Sequence, residues 1–262
     1  MSRRSLLIDS ATLDELKLDG PALRLRSRGR SRQWFPLRRI SRVLCVETPH
    51  LGIEALLHTA NSGIPVSIFT RGGRLIAQLV HPGALPGPLL HWLDALPGDP
   101  DLQCAYDQWL DNQLRHTYAL MGCVARTPQV AARRAEEQLV RLAKKTNCSQ
   151  LLEEARDWIE GLLLTRIQGQ CISLGLPANS SHLAGLFEHL REAGATLCLT
   201  WLVVHVRDNG PVDSRRLAAC FESKLGPHVE HWIARALYTL AQQLEWQALA
   251  QDTPHQGGRG DG

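Results

Sequence analysis

Short runs in the first eighty residues alternate apolar and polar positions with a period of two. The segments "SLLIDS", "ELKLDG" and "ALRLRS" show this alternation and are separated by Gly, Asp and Pro, which favour turns. The runs "QWFPL" and "SRVLCVE" follow them. The pattern predicts antiparallel β-strands in this part of the chain.

One helix interrupts the predicted strands. In "HLGIEALLHTANSG" the spacing changes to that of a helix, and Gly63 stands where a C-cap glycine is expected. The strand "IPVSIFT" follows, and "RGG" then turns the chain into a last strand, "RLIAQLV". Residues 1–80 are therefore predicted to form a small, mainly β domain with one helix.

The pattern changes again after residue 80. Residues 81–101 contain five prolines and three glycines, which do not sustain a long regular element, so we predict a linker. Residues 102–251 are compatible with helix almost throughout, with Pro128 at a first turn and Ser149 as a candidate N-cap. The polar, glycine-rich residues 252–262 are predicted to be a disordered tail. The predicted fold class is α+β, with an all-α C-terminal domain.

Composition narrows the class of protein. The chain has 262 residues, 44% of them hydrophobic, which is ordinary for a globular protein. No apolar run approaches the ~20 residues that span a bilayer, and "MSRRSLLIDS" lacks the features of a secretory signal. We expect a cytoplasmic protein with no membrane association, in which the seven scattered cysteines are reduced thiols inside helices.

Basic residues are concentrated in two places. Residues 1–42 carry ten arginines and one lysine against four acids, which suits either a polyanionic partner or a solvated sheet face. In "AARRAEEQLVRLAKK", Arg134, Arg141 and Lys145 recur at spacings of seven and four residues, so they share one helix face. This face is a candidate DNA-binding surface for phosphate contacts, or a solvated surface balanced by Glu136 and Glu137.

A single glutamate stands out in the helix predicted from "LLEEARDWIEGLLLTRIQ". Ala155, Ile159, Leu162 and Leu163 form its apolar stripe, and Glu160 lies on the shoulder of that stripe. Periodicity alone favours a boundary glutamate paired with Arg156 over a metal ligand.

Several motifs, in this order and spacing, resemble one known family. They are "SGIPVSIFTRGGRLIAQL" at 62–79, "WLDNQLRHTYALM" with Asn112 and Gln113, and "DWIEG" at 157–161. The sequence resembles the CRISPR-associated spacer-acquisition endonuclease and integrase, the Cas-one family. The resemblance covers about two thirds of the chain.

The resemblance carries functional implications. It implies a metal-dependent DNA endonuclease and integrase that inserts short DNA segments into a CRISPR array. It implies double-stranded DNA as a partner, homodimers formed through the β domains, and a small Cas-two partner. It further implies Mg²⁺ or Mn²⁺ held by a glutamate, a histidine and an aspartate on separate helices. Glu160, in the "IEG" motif, becomes the expected catalytic residue and metal ligand.

The sequence departs from the family after Glu160, because an internal segment that carries metal ligands is missing. In "SHLAGLFEHLRE" the aspartate position is Gly185, the second acid is Glu188, and the family's histidine motif is absent. Either His182, Glu188 and Glu160 rebuild a compact metal site, or the chain is a catalytically inactive structural subunit that binds DNA or protein. A spacing of six residues places His182 and Glu188 about 120° apart on a helix, which disfavours the rebuilt site. Outside the family, a generic nucleic-acid-binding protein is the remaining alternative.

Overall fold

The computed structural model describes residues 3–81, 88–176, 181–206 and 214–252, with the backbone alone at 181–182, 206, 214–215 and 251–252. A β-rich N-terminal region is followed by a helical region, which confirms the α+β fold class. The predicted tail falls outside the described residues beyond Asp252. Across the described residues, no helix combines the length and the apolar character that crossing a membrane requires.

The strands form two sheets. Their bounds are β1 Arg4–Asp9, β2 Leu13–Asp19, β3 Ala22–Ser27, β4 Gln33–Pro36, β5 Ile40–Val46, β6 Val66–Phe69 and β7 Leu75–Leu79. The order in one sheet is β1-β5-β6-β7, and in the other it is β2-β3-β4. The prediction of antiparallel pairing is confirmed for β2, β3 and β4. It is wrong for β1 and β5, which pair in parallel with each other, and β5 also pairs in parallel with β6. Parallel pairing joins strands that are distant in sequence, so the local alternation does not reveal it.

The helix between the strands is α1, Ile53–Asn61. Gly63 follows it with φ of 79° and donates its N–H to the carbonyl of Ala60 at 2.9 Å. Ile64 donates to the carbonyl of Thr59 at 3.2 Å. These two hydrogen bonds are those of a Schellman motif, which confirms Gly63 as the residue that ends the helix.

The helical region contains several long helices and a short π-helical turn. The bounds are α2 Pro88–Ala95, α3 Pro100–Ala119, α4 Pro128–Lys145, α5 Ser149–Ser173, α6 Ser181–Val206, α7 Ser214–Cys220, the π-turn Phe221–Leu225 and α8 Gly226–Asp252. Helix α2 lies inside the segment predicted as a linker, and its Leu89 and Leu93 are buried in the helical core. Pro88 is the first residue of α2, a position where proline removes no helical hydrogen bond. This proline is therefore compatible with a helix in the segment.

Two predicted helix starts have different outcomes. Thr127 precedes α4 and its side chain accepts a hydrogen bond from the N–H of Val130, so Pro128 occupies the first helical position as predicted. Ser149 is the first residue of α5 rather than its N-cap. Cys148 holds the N-cap position and makes no side-chain capping bond.

All seven cysteines are free thiols. Four of them differ from the expected place inside helices: Cys45 lies in β5, Cys123 and Cys148 lie outside the helices, and Cys104 is exposed. Burial raises the pKa of Cys45, Cys171 and Cys198 to about 12, so these thiols stay protonated and unreactive near neutral pH.

The four-stranded sheet is buried on both faces. On one face, Val43, Cys45 and Ile68 pack with residues of the three-stranded sheet and of α1. On the other face, Leu44 and Phe69 belong to the core of the helical region. Successive residues of a strand point to opposite faces, so each strand serves both cores. The β region and the helical region therefore share this sheet.

The β6–β7 turn lies directly against α5. The rings of Phe69 in β6 and Trp158 in α5 stack with centroids 5.4 Å apart. A Cβ on Gly161 would lie 2.5 Å from the carbonyl oxygen of Gly73 and 3.0 Å from the Phe69 ring. Gly73 also has φ of 96°, a conformation that favours glycine. The glycines of "RGG" and "IEG" thus permit one close contact, and this contact places Glu160.

A buried cluster of charges forms a second link between α5 and the sheet. Arg166 of α5 binds Glu230 of α8, and its Nη2 lies 2.5 Å from Oε2 of Glu222 in the π-turn. Arg42 of β5 contacts Glu230 at 2.7 Å. Burial, and the neighbouring charge of Arg166, lower the pKa of Arg42 to about 10, while Glu222 opposes the shift. The two arginines are stable side by side because two carboxylates lie between them.

We predict that Gly161→Ala destabilises the protein by about 1–3 kcal/mol, because the added methyl group must displace the Gly73 backbone or the Phe69 ring. Urea unfolding followed by circular dichroism measures the change. Gly169→Ala is the matched control on the same helix, since its Cβ would meet nothing within 4 Å. The control is expected to gain up to about 1 kcal/mol from helix propensity. Equal effects of the two substitutions would contradict the close contact.

We predict that Arg166→Met costs about 3–5 kcal/mol of unfolding free energy. The substitution removes the buried cation that lies closest to Glu222 and Glu230. Arg133→Met is the control, since Arg133 is 82% exposed and, among the described residues, its ion pair is with Glu137 one turn away. Its loss is expected to stay below about 0.5 kcal/mol. Similar losses for the two variants in urea unfolding would show that the buried cluster is not a major link.

Candidate functional site

Glu160 lies at the edge of the contact between α5 and α6. The predicted apolar stripe of α5 is confirmed, since Ala155, Ile159, Leu162 and Leu163 are all buried. The Glu160 side chain retains 26% of its exposure. Because Gly161 fixes α5 against the β6–β7 turn, the direction of the Glu160 side chain is set by the backbone contact next to it.

The partner of Glu160 is an arginine of α6. Nη1 of Arg191 binds Oε2 of Glu160. The same guanidinium reaches Glu188 three residues earlier on α6, with Nη2 at 2.5 Å and Nε at 3.0 Å from Oε2. Arg191 therefore lies between the two acids that the sequence analysis selected as metal ligands. We call Glu160, Arg191 and Glu188 the arginine bridge.

Arg156, the partner expected from periodicity, turns to a different helix. Its Nη2 lies 2.6 Å from Oε1 of Glu136 in α4. Glu160 is thus neither paired within its own helix nor turned to open water. The two arginines link α5 to its neighbours on both sides, because Arg156 contacts α4 and Arg191 comes from α6.

The acids in and around the arginine bridge raise the pKa values of Arg191 and Tyr118. Partial burial opposes the charge of Arg191, but the hydrogen bond that it donates to Glu188 and the charges of Glu160, Glu188 and Glu192 raise its pKa above the usual value. Burial, followed by the negative charges of Glu192 and Glu136, raises the pKa of Tyr118 to about 12. Arg191 is consequently a permanent cation, and the Tyr118 hydroxyl does not ionise near neutral pH.

The residues present do not fit a divalent metal ion. Among the side chains that the structure describes, no group of three or more His, Cys, Asp or Glu is arranged to hold one. Glu188 is 64% exposed and bonded to Arg191, and the side chain of His182 lies outside the described residues. His205 is exposed and stacks on Trp201 with centroids 3.9 Å apart. Mg²⁺ requires several oxygen ligands, and two acids already bound to a guanidinium do not supply them.

The candidate DNA-binding residues are exposed on α4. Arg134 donates through Nη1 to the Val124 carbonyl at 2.9 Å, and Arg141 donates through Nε to the Glu137 carbonyl at 3.2 Å. Within the described part of the chain, Arg134, Arg141 and Lys145 have no carboxylate within salt-bridge distance. We call these three residues the α4 basic face.

The α4 basic face and the contact of α4 with α5 lie on different sides of α4. At 100° per residue, Arg134, Arg141 and Lys145 fall within about 40° of one another, and Glu136 is turned about 160° away from Arg134. Glu136 contacts α5 through Arg156. The acids expected to balance the basic face are also engaged elsewhere, because Glu137 pairs with Arg133 and Glu136 with Arg156.

Sequence reasoning missed Arg191 and Arg166, the two arginines that organise α5. For Arg191 a local signal exists, since Glu188 stands three residues before it and such pairs meet on one helix face. Its contact with Glu160 joins residues 31 positions apart, which no local pattern reveals. Arg166 carries a similar signal, because a charged residue inside the apolar run "LLLTRI" needs a buried partner.

Solved structures share this arrangement of a β-rich region and a helical region. TM1797, a CAS1 protein from Thermotoga maritima, superimposes with a TM-score of 0.70 at 11% identity, covering 93% of this chain and 97% of that one. A casposase bound to integration product gives a TM-score of 0.66 at 12% identity, covering 92% and 91%. The TtCas1–DNA complex gives 0.54 at 14% identity, covering 92% and 97%. At these identities the likeness shows a common fold.

The family follows from the sequence itself. The family model described as "CRISPR associated protein Cas1" matches residues 11–161, more than half of the chain. The chain belongs to this family, which is the Cas-one family named in the sequence analysis. No curated protein matches the chain at a significant level.

We predict that Glu160 and Arg191 are energetically coupled by about 1–3 kcal/mol, because a charge-assisted hydrogen bond joins them at a partly buried contact. A double-mutant cycle with Glu160→Gln, Arg191→Met and the double variant measures this coupling in urea. The exposed pair Arg115 and Asp111 on α3 serves as the control cycle, with an expected coupling below about 0.5 kcal/mol. Additive effects of the Glu160 and Arg191 substitutions would contradict the arginine bridge.

Proposed function

We propose that this Cas1 family member acts in CRISPR adaptation as a double-stranded-DNA-binding protein. The observation that carries the proposal is the family match over residues 11–161. It is supported by the likeness in fold to a Cas1–DNA complex and to a casposase bound to integration product. Spacer insertion into a CRISPR array is the process to which we assign the DNA binding.

The α4 basic face is the proposed site of contact with the DNA backbone. Its three cations are exposed and have no carboxylate partner in the described part of the chain, so ion pairs do not have to break before a phosphate binds. The residues recur along one side of a helix, and a row of this kind can follow the phosphates of one strand. Contacts of this type give affinity without sequence specificity.

Metal-dependent DNA cleavage and integration are the chemistry that family membership implies. Divalent-metal-dependent nuclease activity is general in the Cas1 family. In this chain, Glu160 and Glu188 bind Arg191, and the described residues do not fit Mg²⁺ or Mn²⁺. We therefore derive no step through a metal ion. We favour an adaptation subunit that binds DNA without metal-dependent catalysis at Glu160.

We also propose that the protein forms homodimers through its β region and works with a small Cas2 partner. Leu51, Ile53 and Leu57 on and beside α1 are each nearly half exposed, which provides an apolar strip for association. A Cas6-RT-Cas1–Cas2 complex contains a chain of similar fold, with a TM-score of 0.57 at 12% identity and 36% of that chain covered. This likeness supports the partner as part of the proposal.

We predict that replacing Arg134, Arg141 and Lys145 with alanine weakens duplex binding and flattens its salt dependence. Each lost phosphate contact removes about 0.9 from the slope of log affinity against log salt, so the slope is expected to fall by about 2 to 3. Fluorescence anisotropy of a labelled duplex, measured between about 50 and 200 mM salt, gives both quantities.

The matched control removes the same charge from the β region, at the exposed residues Arg26, Arg28 and Arg38. If only the control triple lowers the slope, the α4 assignment is wrong and DNA binding stands. If the unaltered protein shows no salt-sensitive duplex binding, the proposed function is wrong. Mn²⁺-dependent cleavage that disappears in Glu160→Gln would instead support the metal-dependent enzyme.

A further inference from the structure

The arginine bridge has the form of a cation site whose cation belongs to the protein. We infer that the guanidinium of Arg191 takes the place of a divalent metal ion between Glu160 and Glu188 and prevents such an ion from binding there. The inference deepens the proposed function. It rests on that function at one point, because membership of the Cas1 family implies a metal ion. Its test does not require DNA binding.

The geometry supports this replacement. A carboxylate from α5 and a carboxylate from α6 converge on one group, and that group is the planar cation of Arg191. Arginine binds carboxylates through several N–H groups at once, and its hydrogen bonds here reach Oε2 of Glu160 and Oε2 of Glu188, one oxygen of each possible ligand. A metal ion would have to displace the guanidinium and would remain close to its positive charge.

The cation cannot leave by losing its proton. Arginine remains protonated throughout the physiological pH range. Arg191 also lies on the same helix as Glu188, three residues away, so its local concentration at the acid is far above that of any free ion. The guanidinium therefore competes with a free divalent ion for both acids.

The aspartate that the family resemblance expects on α6 is also absent from this site. Gly185 lies one turn before Glu188 on α6, at the position where the family resemblance expects an aspartate. A Cβ at Gly185 would meet nothing within 4 Å, so packing does not demand glycine there. The site has thus lost a possible oxygen ligand at position 185 and has a resident cation at position 191. Either feature alone weakens metal binding, and together they convert the site into a link between α5 and α6.

This inference predicts that metal binding appears when Arg191 is removed. Removing the guanidinium leaves Glu160, Glu188 and the neighbouring Glu192 without their shared counter-charge, and a divalent cation then relieves their repulsion. An aspartate at position 185 would add a third oxygen ligand in free space. If Glu160 and Glu188 held a metal ion with the help of Arg191, removing Arg191 would weaken metal binding. The arginine bridge predicts the opposite result.

The experiment measures Mn²⁺ binding to the full chain by electron paramagnetic resonance of the free ion. The unaltered protein is expected to bind Mn²⁺ no more tightly than Glu160→Gln does. Arg191→Met is expected to bind at least about 10-fold more tightly, and Arg191→Met with Gly185→Asp about 10-fold more tightly again. Arg115→Met, which removes an exposed arginine from α3, is the matched control and is expected to change nothing.

Thermal unfolding with and without Mn²⁺ provides a second readout on the same proteins. Mn²⁺ is expected to raise the Tm of Arg191→Met and to leave that of the unaltered protein unchanged. If Arg191→Met folds poorly, Arg191→Met with Glu188→Gln keeps the net charge of the arginine bridge unchanged, and adding Gly185→Asp to it still tests the gain of a ligand.

Two results would overturn the inference. One is tight Mn²⁺ binding by the unaltered protein that Glu160→Gln abolishes. The other is the absence of any gain in Mn²⁺ affinity when Arg191 is removed from a folded protein. The proposed function is tested separately. If the unaltered protein does not bind duplex DNA, the proposed function is wrong, and the Mn²⁺ measurements are unaffected.

Discussion

The contact between Gly73 and Gly161 is the constraint on which the position of the candidate site depends. A turn of the β region touches the backbone of α5 there, and a side chain at Gly161 would fill the space between them. Stacking of Phe69 on Trp158 extends the contact into the core. Because Glu160 is the neighbour of Gly161, the joint between the two regions also determines which helix the carboxylate faces.

Two charged residues of α5, Arg166 and Glu160, are each paired with an opposite charge from another element. Arg166 lies on the side of the helix that faces the sheet and is held by Glu222 and Glu230. Glu160 lies on the side that faces α6 and is held by Arg191. In both places a charge that leaves water meets an opposite charge from another element, which is the condition for a buried or half-buried charge to be stable. Ion pairs therefore organise this helix where a metal was expected to do so.

Features that depend on neighbouring residues in the sequence were predictable, and features that depend on distant ones were not. Gly63 and Pro128 act through local backbone geometry, and both were placed correctly. The parallel pairing of β1 with β5 depends on strands about 36 residues apart, beyond the reach of alternation. The partner of Glu160 is likewise 31 residues away, so periodicity offered Arg156 instead.

The most direct test of this account is a crystal structure determined after soaking in Mn²⁺, with diffraction recorded at the manganese absorption edge. Anomalous scattering locates the ion independently of any activity. We expect the Arg191 guanidinium between Glu160 and Glu188 and no anomalous peak within about 3 Å of either carboxylate, a limit set by metal–oxygen bond lengths. A manganese peak bonded to Glu160, with Arg191 turned away, would contradict it.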